Sequence, residues 1–383
     1  MKKILVVGML DSIHLARWLS QFKNPEIQIT IFPSSRFRRL HSDIEIMLQN
    51  REIIFYKRPS SFNFRLLGYK DYIQFQVLNK IFRFSSRAIS LRKHLKNNKV
   101  DIVHLIEIQH AGYLYLDAEI QNKTFNLIMT NYGSDILYFN NSPLDNFKIS
   151  QILKQSDFYS AECRRDYALA KELGFAGVEL PLMPNAGGFK IELNDGQKVP
   201  LDKRSWIYVK GYGCKFGLGG ISLEVTARIL DTFKEVNVIV VSLTSDLEKQ
   251  ANELKRRYGK RISLYRIGSP ISQENVLSVL RNSIVCIGAS RSDGISTTFL
   301  EALISGAIPV QTNTSCASEW TEKGFFAKIV GPSSDEIYEA VSSILINPSI
   351  FESQSKNNMS LARLHLDIDK LSLTAQTFYQ IEQ

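Results

Sequence analysis

Apolar, β-branched runs recur along this chain, and the segments between them carry apolar residues at helical spacing. Met1–Gly8, Ile27–Pro33, Val100–Ile108, Phe125–Thr130 and Ser156–Ala161 read as strands in the first half. Between them, Ile13, Leu15, Ala16 and Leu19 make one helix face, and Arg164–Leu173 is a helix that Gly174 ends. The second half repeats the rhythm. Ser205–Val209, Val236–Val241, Ile262–Tyr265, Ser283–Gly288 and Ile308–Val310 are strands. Asp246–Tyr258, Gln273–Arg281, Asp335–Leu345 and Met359–Tyr379 are helices. Strands alternating with helices predict parallel sheets of the α/β class. A chain of 383 residues suits two such domains. The polar stretch Asn194–Arg204, broken at Pro200, reads as a linker. The expected division is 1–190, 191–360, and a closing helix over 361–383.

One stretch concentrates candidate chemistry. After the strand Ser283–Gly288 come Ser290, Ser292, Asp293 and Gly294 in a loop. Ser296, Thr297 and Thr298 then suit the start of a helix bearing Phe299, Leu300, Leu303 and Ile304, which Gly306 closes. Asp293 and Glu301 flank that helix start. Its unpaired N–H groups and dipole suit an anion such as a diphosphate. Carboxylates eight residues apart suit two sets of hydroxyls on one extended ligand better than hydrolytic acid/base work. A second loop, Lys210-Gly-Tyr-Gly-Cys-Lys215-Phe-Gly217, follows a strand. Two lysines on a glycine-rich turn can clamp a diphosphate. The first strand turns through Gly8–Ser12 into its helix without Gly-x-Gly-x-x-Gly, so a dinucleotide site is a poor reading.

The Asp293–Glu301 stretch resembles the acidic-x7-acidic signature of the retaining GT-B glycosyltransferases of family 4, the glycosyl transferases group 1. Gly306–Val310 and Thr314–Trp320 resemble a bacterial polysaccharide-type branch of it. The resemblance implies two Rossmann-like domains facing each other across a cleft, with the last helix crossing back to the first. It implies that Asp293 contacts the donor sugar, where most members have Glu, and that Glu301 holds the ribose. Gly294, Ile295, Ser296 and Thr297 would cradle sugar and phosphate. Lys210 and Lys215 resemble the family's Arg-x4-Lys pair on the leaving diphosphate; lysine at the first position keeps the charge and loses the bidentate grip. Ser290, Gly8 and Ile267 would complete the donor site, Ile267 beside the base. In the first domain, Asp101–His104 and the loop after it are similar to the family's Asp-x-Val-His strand and His/Gly loop. His104, inside an apolar run, reads as a core histidine, and His110, at a strand end, as a catalytic candidate. Tyr132 stands where many relatives carry a histidine near the donor sugar. His14, near the first loop, is balanced between function and a solvated helix start.

Charge adds one feature. Residues 1–190 hold 26 Lys/Arg and 17 Asp/Glu, and residues 191–383 hold 21 of each, so the whole net charge of +9 lies in the first half. Seven bases and no acid lie between Lys80 and Lys99, following an aromatic-rich run from Phe62 to Phe84. That pattern suits either an interfacial helix on anionic lipid or an amphipathic helix packed on its own sheet. No apolar run is long enough to span a bilayer, and Asp11, His14 and Arg17 cut short the signal-like start. Four dispersed cysteines with no Cys-x-x-Cys argue against a zinc site and suit a reducing cytoplasm. The expectation is a retaining glycosyltransferase that moves a sugar from a nucleotide diphosphate sugar to a saccharide or lipid-linked acceptor, in cell-surface polysaccharide or glycolipid assembly. It needs no metal and no cofactor beyond the donor, binds no nucleic acid, and works in the cytoplasm or on the inner membrane face. A GT-B-fold nucleotide-sugar epimerase and a non-catalytic sugar-binding scaffold are the rival readings. An epimerase would interconvert the nucleotide sugar without an acceptor.

Overall fold

A computed structural model describes residues 1–22, 24–37, 39–57, 86–191, 199–269 and 271–381. The chain divides into two compact units, Met1–Gly188 with Asp369–Gln383, and Phe189–Ile368.

Among the described residues, the first unit holds seven parallel strands: β1 Lys2–Gly8, β2 Ile27–Pro33, β3 Ile54–Phe55, β4 Ile102–Ile106, β5 Asn126–Thr130, β6 Phe158–Ser160 and β7 Val178–Glu179. Their order is β3-β2-β1-β4-β5-β6-β7. Alternate residues serve opposite faces, as the pleat requires. Ile4, Val6, Ile29, Ile31, Ile102 and Ile128 join one core with the helices Ile13–Leu19, Ser42–Gln49 and Ile368–Thr377. Leu5, Val7, Val103, Leu105, Leu127 and Met129 join the other with Ser86–Asn97, Pro143–Gln155 and Arg164–Glu172. A sheet covered on both faces needs strands apolar throughout, which is how β1, β4 and β5 are written. Strand order reverses between β1 and β4, and open α/β sheets bind ligands beyond the carboxyl ends of the strands at that switch point.

Among its described residues, the second unit has six parallel strands: β8 Trp206–Lys210, β9 Asn237–Leu243, β10 Ile262–Arg266, β11 Ser283–Gly288, β12 Ile308–Thr312 and β13 Lys328–Val330. Their order is β10-β9-β8-β11-β12-β13, so the switch point falls between β8 and β11.

Two expectations change. The helix expected over Met359–Tyr379 is two helices, Glu352–His365 and Ile368–Thr377. The break at Leu366–Asp367 comes from pairing with Phe189, whose N–H donates to Leu366 O at 2.8 Å and whose carbonyl accepts from Ile368 N at 3.1 Å. Those bonds replace two helical ones. The second of these helices lies in the first unit. The end of the expected linker is not a solvated strand of chain. Leu201 is buried, and Arg204 is buried with its guanidinium on the carbonyls of Val199, Ser283 and Gly306. Residues 192–198 of that linker lie outside the described residues, as does the Phe62–Phe84 run with Lys80 and Arg83.

The basic helix Ser86–Asn97 packs on its own sheet. Arg87, Ala88 and Leu91 are buried. Arg92 donates from Nε to Ala118 O at 2.5 Å and pairs with Glu119 at 2.8 Å. Two of the bases read as a lipid-facing set therefore serve the domain, while Lys93, Lys96 and Lys99 remain exposed. Among the described residues, no helix is long and apolar enough to cross a membrane.

The C-terminal helix is held by a buried polar chain. Trp18 Nε1–H donates to Tyr379 Oη at 3.1 Å, Tyr379 Oη lies 2.8 Å from His104 Nδ1, and His104 Nε2 lies 2.7 Å from Thr130 Oγ1. A neutral ring with its proton on Nε2 satisfies all four groups: Tyr379 donates to Nδ1 and Nε2–H donates to Thr130. Burial pushes the His104 pKa down to about 3. His104 is thus a core histidine.

Candidate active site

In the second unit the chemistry collects at the switch point. β8 delivers Lys210 at its carboxyl end, and β11 leads into the Ser290–Ser296 loop. The helix Thr297–Ser305 begins at the cap residue Ser296, whose side chain makes no capping bond to it. Instead Ser296 Oγ accepts from Lys210 Nζ at 3.0 Å. Lys210 Nζ also lies 3.6 Å from Asp293 Oδ2, and both side chains are about four-fifths buried, with relative exposures of 21% and 23%. A cation, a carboxylate and a helix start thus converge. The helix's first amides have no intrahelical acceptor, so they can receive an anion beside Lys210.

Glu301, one turn into that helix, is buried at 7% exposure. Its charge raises the pKa of Tyr208 on β8 and of Cys286 on β11, in both cases after burial as the main cause. Lys210 opposes it at Cys286. Glu301 therefore sits over the same two strands as Lys210. Gly306 ends the helix with φ 72°, and a Cβ there would meet Met359 Sδ and Ser355 Oγ at 2.7 Å each.

The Lys210–Gly217 loop is tied down. Gly213 N–H donates to Thr244 Oγ1 at 2.9 Å and Cys214 N–H to Asp246 Oδ2 at 2.8 Å. Gly217 bridges to Ser290, and any side chain at Gly217 would collide with the Tyr212 carbonyl at 1.9 Å. Lys215 is exposed on this loop, with its Nζ 5.7 Å from the Phe216 ring centre. Ser290 is buried and braces the loop: its N–H donates to Thr312 Oγ1 at 3.1 Å and its carbonyl accepts from Thr314 Oγ1 at 2.6 Å. Gly294 O accepts from Cys316 N at 2.8 Å, and Ile295 is buried. Ile267 follows the edge strand β10 and is 57% exposed. The structure thus gathers Asp293, Ser296, Lys210 and Glu301, gives Ser290 a bracing role, and leaves Ile267 at the sheet's edge.

In the first unit Gly8 and His110 also flank a switch point. Gly8 ends β1, where a Cβ would press on Leu15 at 3.1 Å. His110 lies in a turn of π-helix, Ile108–Gly112, beyond β4. Its Nδ1 is 2.7 Å from Glu107 Oε2, and its ring is half-exposed. Glu107 was not a sequence candidate, although a lone acid between Ile106 and Ile108 in an apolar run was a visible signal. Tyr132 packs its ring 5.4 Å from His14, and its N–H donates to Asp135 Oδ1 at 2.8 Å. Burial holds Asp135 well above the usual carboxylate range, with Glu107 adding to the rise.

The whole chain superposes on solved structures of one architecture. It matches sucrose-phosphate synthase from Thermosynechococcus elongatus over 99% of this chain and 98% of that one, with TM-score 0.71 at 13% identity. Anabaena HepE, solved in complex with UDP and glucose, matches over 100% of both chains with TM-score 0.68 at 12% identity. The fold is GT-B. A glycosyltransferase from Rickettsia africae matches over 99% of this chain and 98% of that one, with TM-score 0.66 at 14% identity. Residues 3–161 match the family model described as glycosyl transferase 4-like. No curated protein sequence matches the chain. The family match and the GT-B neighbours together support a glycosyltransferase.

Proposed function

We propose that this GT-B chain is a retaining glycosyltransferase that moves a sugar from a nucleotide diphosphate sugar to an acceptor hydroxyl, in assembly of a cell-surface polysaccharide or glycolipid. The observation that carries this reading is the Lys210–Ser296–Asp293 cluster at a helix start, with Glu301 buried one turn on. The second unit holds the donor. Lys210, with Lys215 on the same loop and the first amides of the helix Thr297–Ser305, stabilises the charge that develops on the departing diphosphate. Asp293 meets the sugar hydroxyls and Glu301 the ribose. Gly294, Ile295 and Thr297 bring backbone close to sugar and phosphate. The first unit receives the acceptor near His110. The acceptor oxygen bonds to the anomeric carbon on the face from which the diphosphate leaves, and the departing phosphate oxygen takes the acceptor proton. No metal is required by this scheme. UDP-glucose is the first donor to try, because Anabaena HepE was solved with it.

Thermal shift with UDP-, ADP- and GDP-sugars tests the donor site. At that site, Glu301→Gln is expected to weaken nucleotide binding by about 1–3 kcal/mol, the cost of leaving a buried polar partner poorly matched. Equal affinity in both proteins would remove Glu301 from the ribose.

An acceptor anchored in the inner leaflet fits the charge of residues 1–190. Since Arg87 and Arg92 are engaged within the unit, the bases left for lipid are exposed ones such as Lys93, Lys96 and Lys99. Each base near anionic lipid contributes about 1 kcal/mol, screened by salt. Co-sedimentation is expected with anionic vesicles at low salt and not with neutral ones, and Lys93→Gln with Lys96→Gln should weaken it. Equal recovery on both lipids would end the membrane reading.

A further inference from the structure

Glu107 is an unusual residue on three counts. Its backbone has φ 77°, a left-handed conformation that costs a residue with a Cβ about 1 kcal/mol or more. Its carboxylate is buried at 7% exposure. And both oxygens of that carboxylate are engaged, Oε1 accepting from Gln109 N at 2.9 Å and Oε2 from His110 N at 2.8 Å and the His110 ring at 2.7 Å. Strain and desolvation at one residue persist only where the surroundings enforce them, and here they aim one imidazole. With Nδ1 committed to Glu107, the free edge of His110 is Nε2, on a ring that is half-exposed. The π-turn that carries it lies beyond β4, beside the Gly8–Ser12 loop beyond β1, at the first unit's switch point.

We propose that Glu107 is a positioning residue that presents the Nε2 edge of His110 to a sugar hydroxyl bound at the first unit's switch point. The chemistry nearby selects a neutral polyol over an anion. The charged groups acting on His110 are Glu107 and Asp11, both acids, and Asp135 and Tyr113 stand behind Glu107. An anionic ligand would meet the carboxylates of Glu107 and Asp11 there, whereas hydroxyls can both donate and accept. The same hydrogen bond, with the Glu107 and Asp11 charges, raises the His110 pKa against the opposing effect of burial. The inference deepens the proposed function, since it names what the acceptor-side unit grips.

The test reads the His110 ring by NMR in the full chain, with free glucose as the probe, and follows UDP release from UDP-glucose against pH. In the wild type His110 is expected to titrate above the ordinary histidine value and to shift on adding glucose. Glu107→Gln keeps one acceptor oxygen for the backbone N–H groups and loses the charge. It should move the His110 titration down, carry the matching limb of the kcat/KM profile with it, and raise KM while UDP affinity stays unchanged. Glu107→Asp should restore part of both shifts. His110→Gln, which leaves Glu107 in place, should raise the KM for acceptor while UDP affinity holds, and it serves if Glu107→Gln does not fold. A His110 titration that moves while the glucose response and rate profile stay put reduces Glu107 to a structural role and overturns the proposal. So does a wild-type ring that ignores glucose. Failure of the wild type to bind UDP is a separate outcome: it sinks the donor reading, and the glucose arm still decides this one.

Discussion

Lys210→Ala is expected to lower turnover of the nucleotide sugar by roughly a hundredfold or more, the usual loss when one donor to developing transition-state charge is removed. Lys210 Nζ is fixed at 3.0 Å from Ser296 Oγ and 3.6 Å from Asp293, on a loop that Thr244 and Asp246 hold in place. A pre-positioned charge acts without reorganising, which is why its removal costs rate rather than fold. Lys210→Arg should recover part of the loss, because the charge returns in a different shape. The melting temperature should move little, since the lysine closes no core. Turnover within a factor of two of wild type would remove Lys210 from the leaving-group site.

A steep pH dependence of stability is the second large effect. His104 has a folded-state pKa of about 3 against about 6.5 when unfolded. Between those values the unfolded chain binds the proton and the folded chain does not. Stability is therefore fully present above pH 6.5 and falls as the pH drops towards 3, by about 1.4 kcal/mol per unit. The structural cause is specific. A proton on Nδ1 would face the Tyr379 hydroxyl, which already accepts from Trp18, and would strand the Tyr379 proton. Tyr379→Phe should cost about 1–3 kcal/mol at neutral pH, because it leaves Trp18 Nε1 and His104 Nδ1 buried without that partner. Guanidinium unfolding of wild type and His104→Leu between pH 7 and 5 checks this. The wild type should lose stability across that range and the variant should lose distinctly less. Parallel losses would place the acid sensitivity elsewhere, with His94, whose pKa burial also lowers, the next group to examine.

How much the chain disclosed follows from what each residue depends on. Strands β2 and β11 and the helix Gln273–Arg281 match the residues read from patterning, because β11 is almost wholly apolar, β2 carries isoleucine at alternate positions, and the helix has strong ends: Ser272 caps its first turn. Gly306 was legible as a helix stop, since only a residue without a Cβ fits its φ and its neighbours. The split of the last helix was not. Its cause is a pairing of Leu366–Ile368 with Phe189, nearly 180 residues away, and local periodicity cannot carry that. Arg87 and Arg92 misled for the same reason: a base reads as solvated until the carbonyl or acid that binds it is known. In the site, Asp293 and Glu301 could be named from their spacing and the resemblance it supports. The Lys210–Ser296 bond joins elements 86 residues apart and became visible only with the sheet order. Glu107 left a trace as a single acid in an apolar run, yet its strained backbone and its hold on His110 are tertiary facts.

The most direct test of the central claim is proton NMR of the full-length protein incubated with UDP-glucose and a panel of saccharide and lipid-linked acceptors. Transfer with retention predicts UDP release that depends on acceptor, and a new glycosidic anomeric proton with the small coupling of the α-configured donor. Conversion of the nucleotide sugar to an epimer without UDP release, or a product with the large coupling of the opposite anomer, would contradict the account.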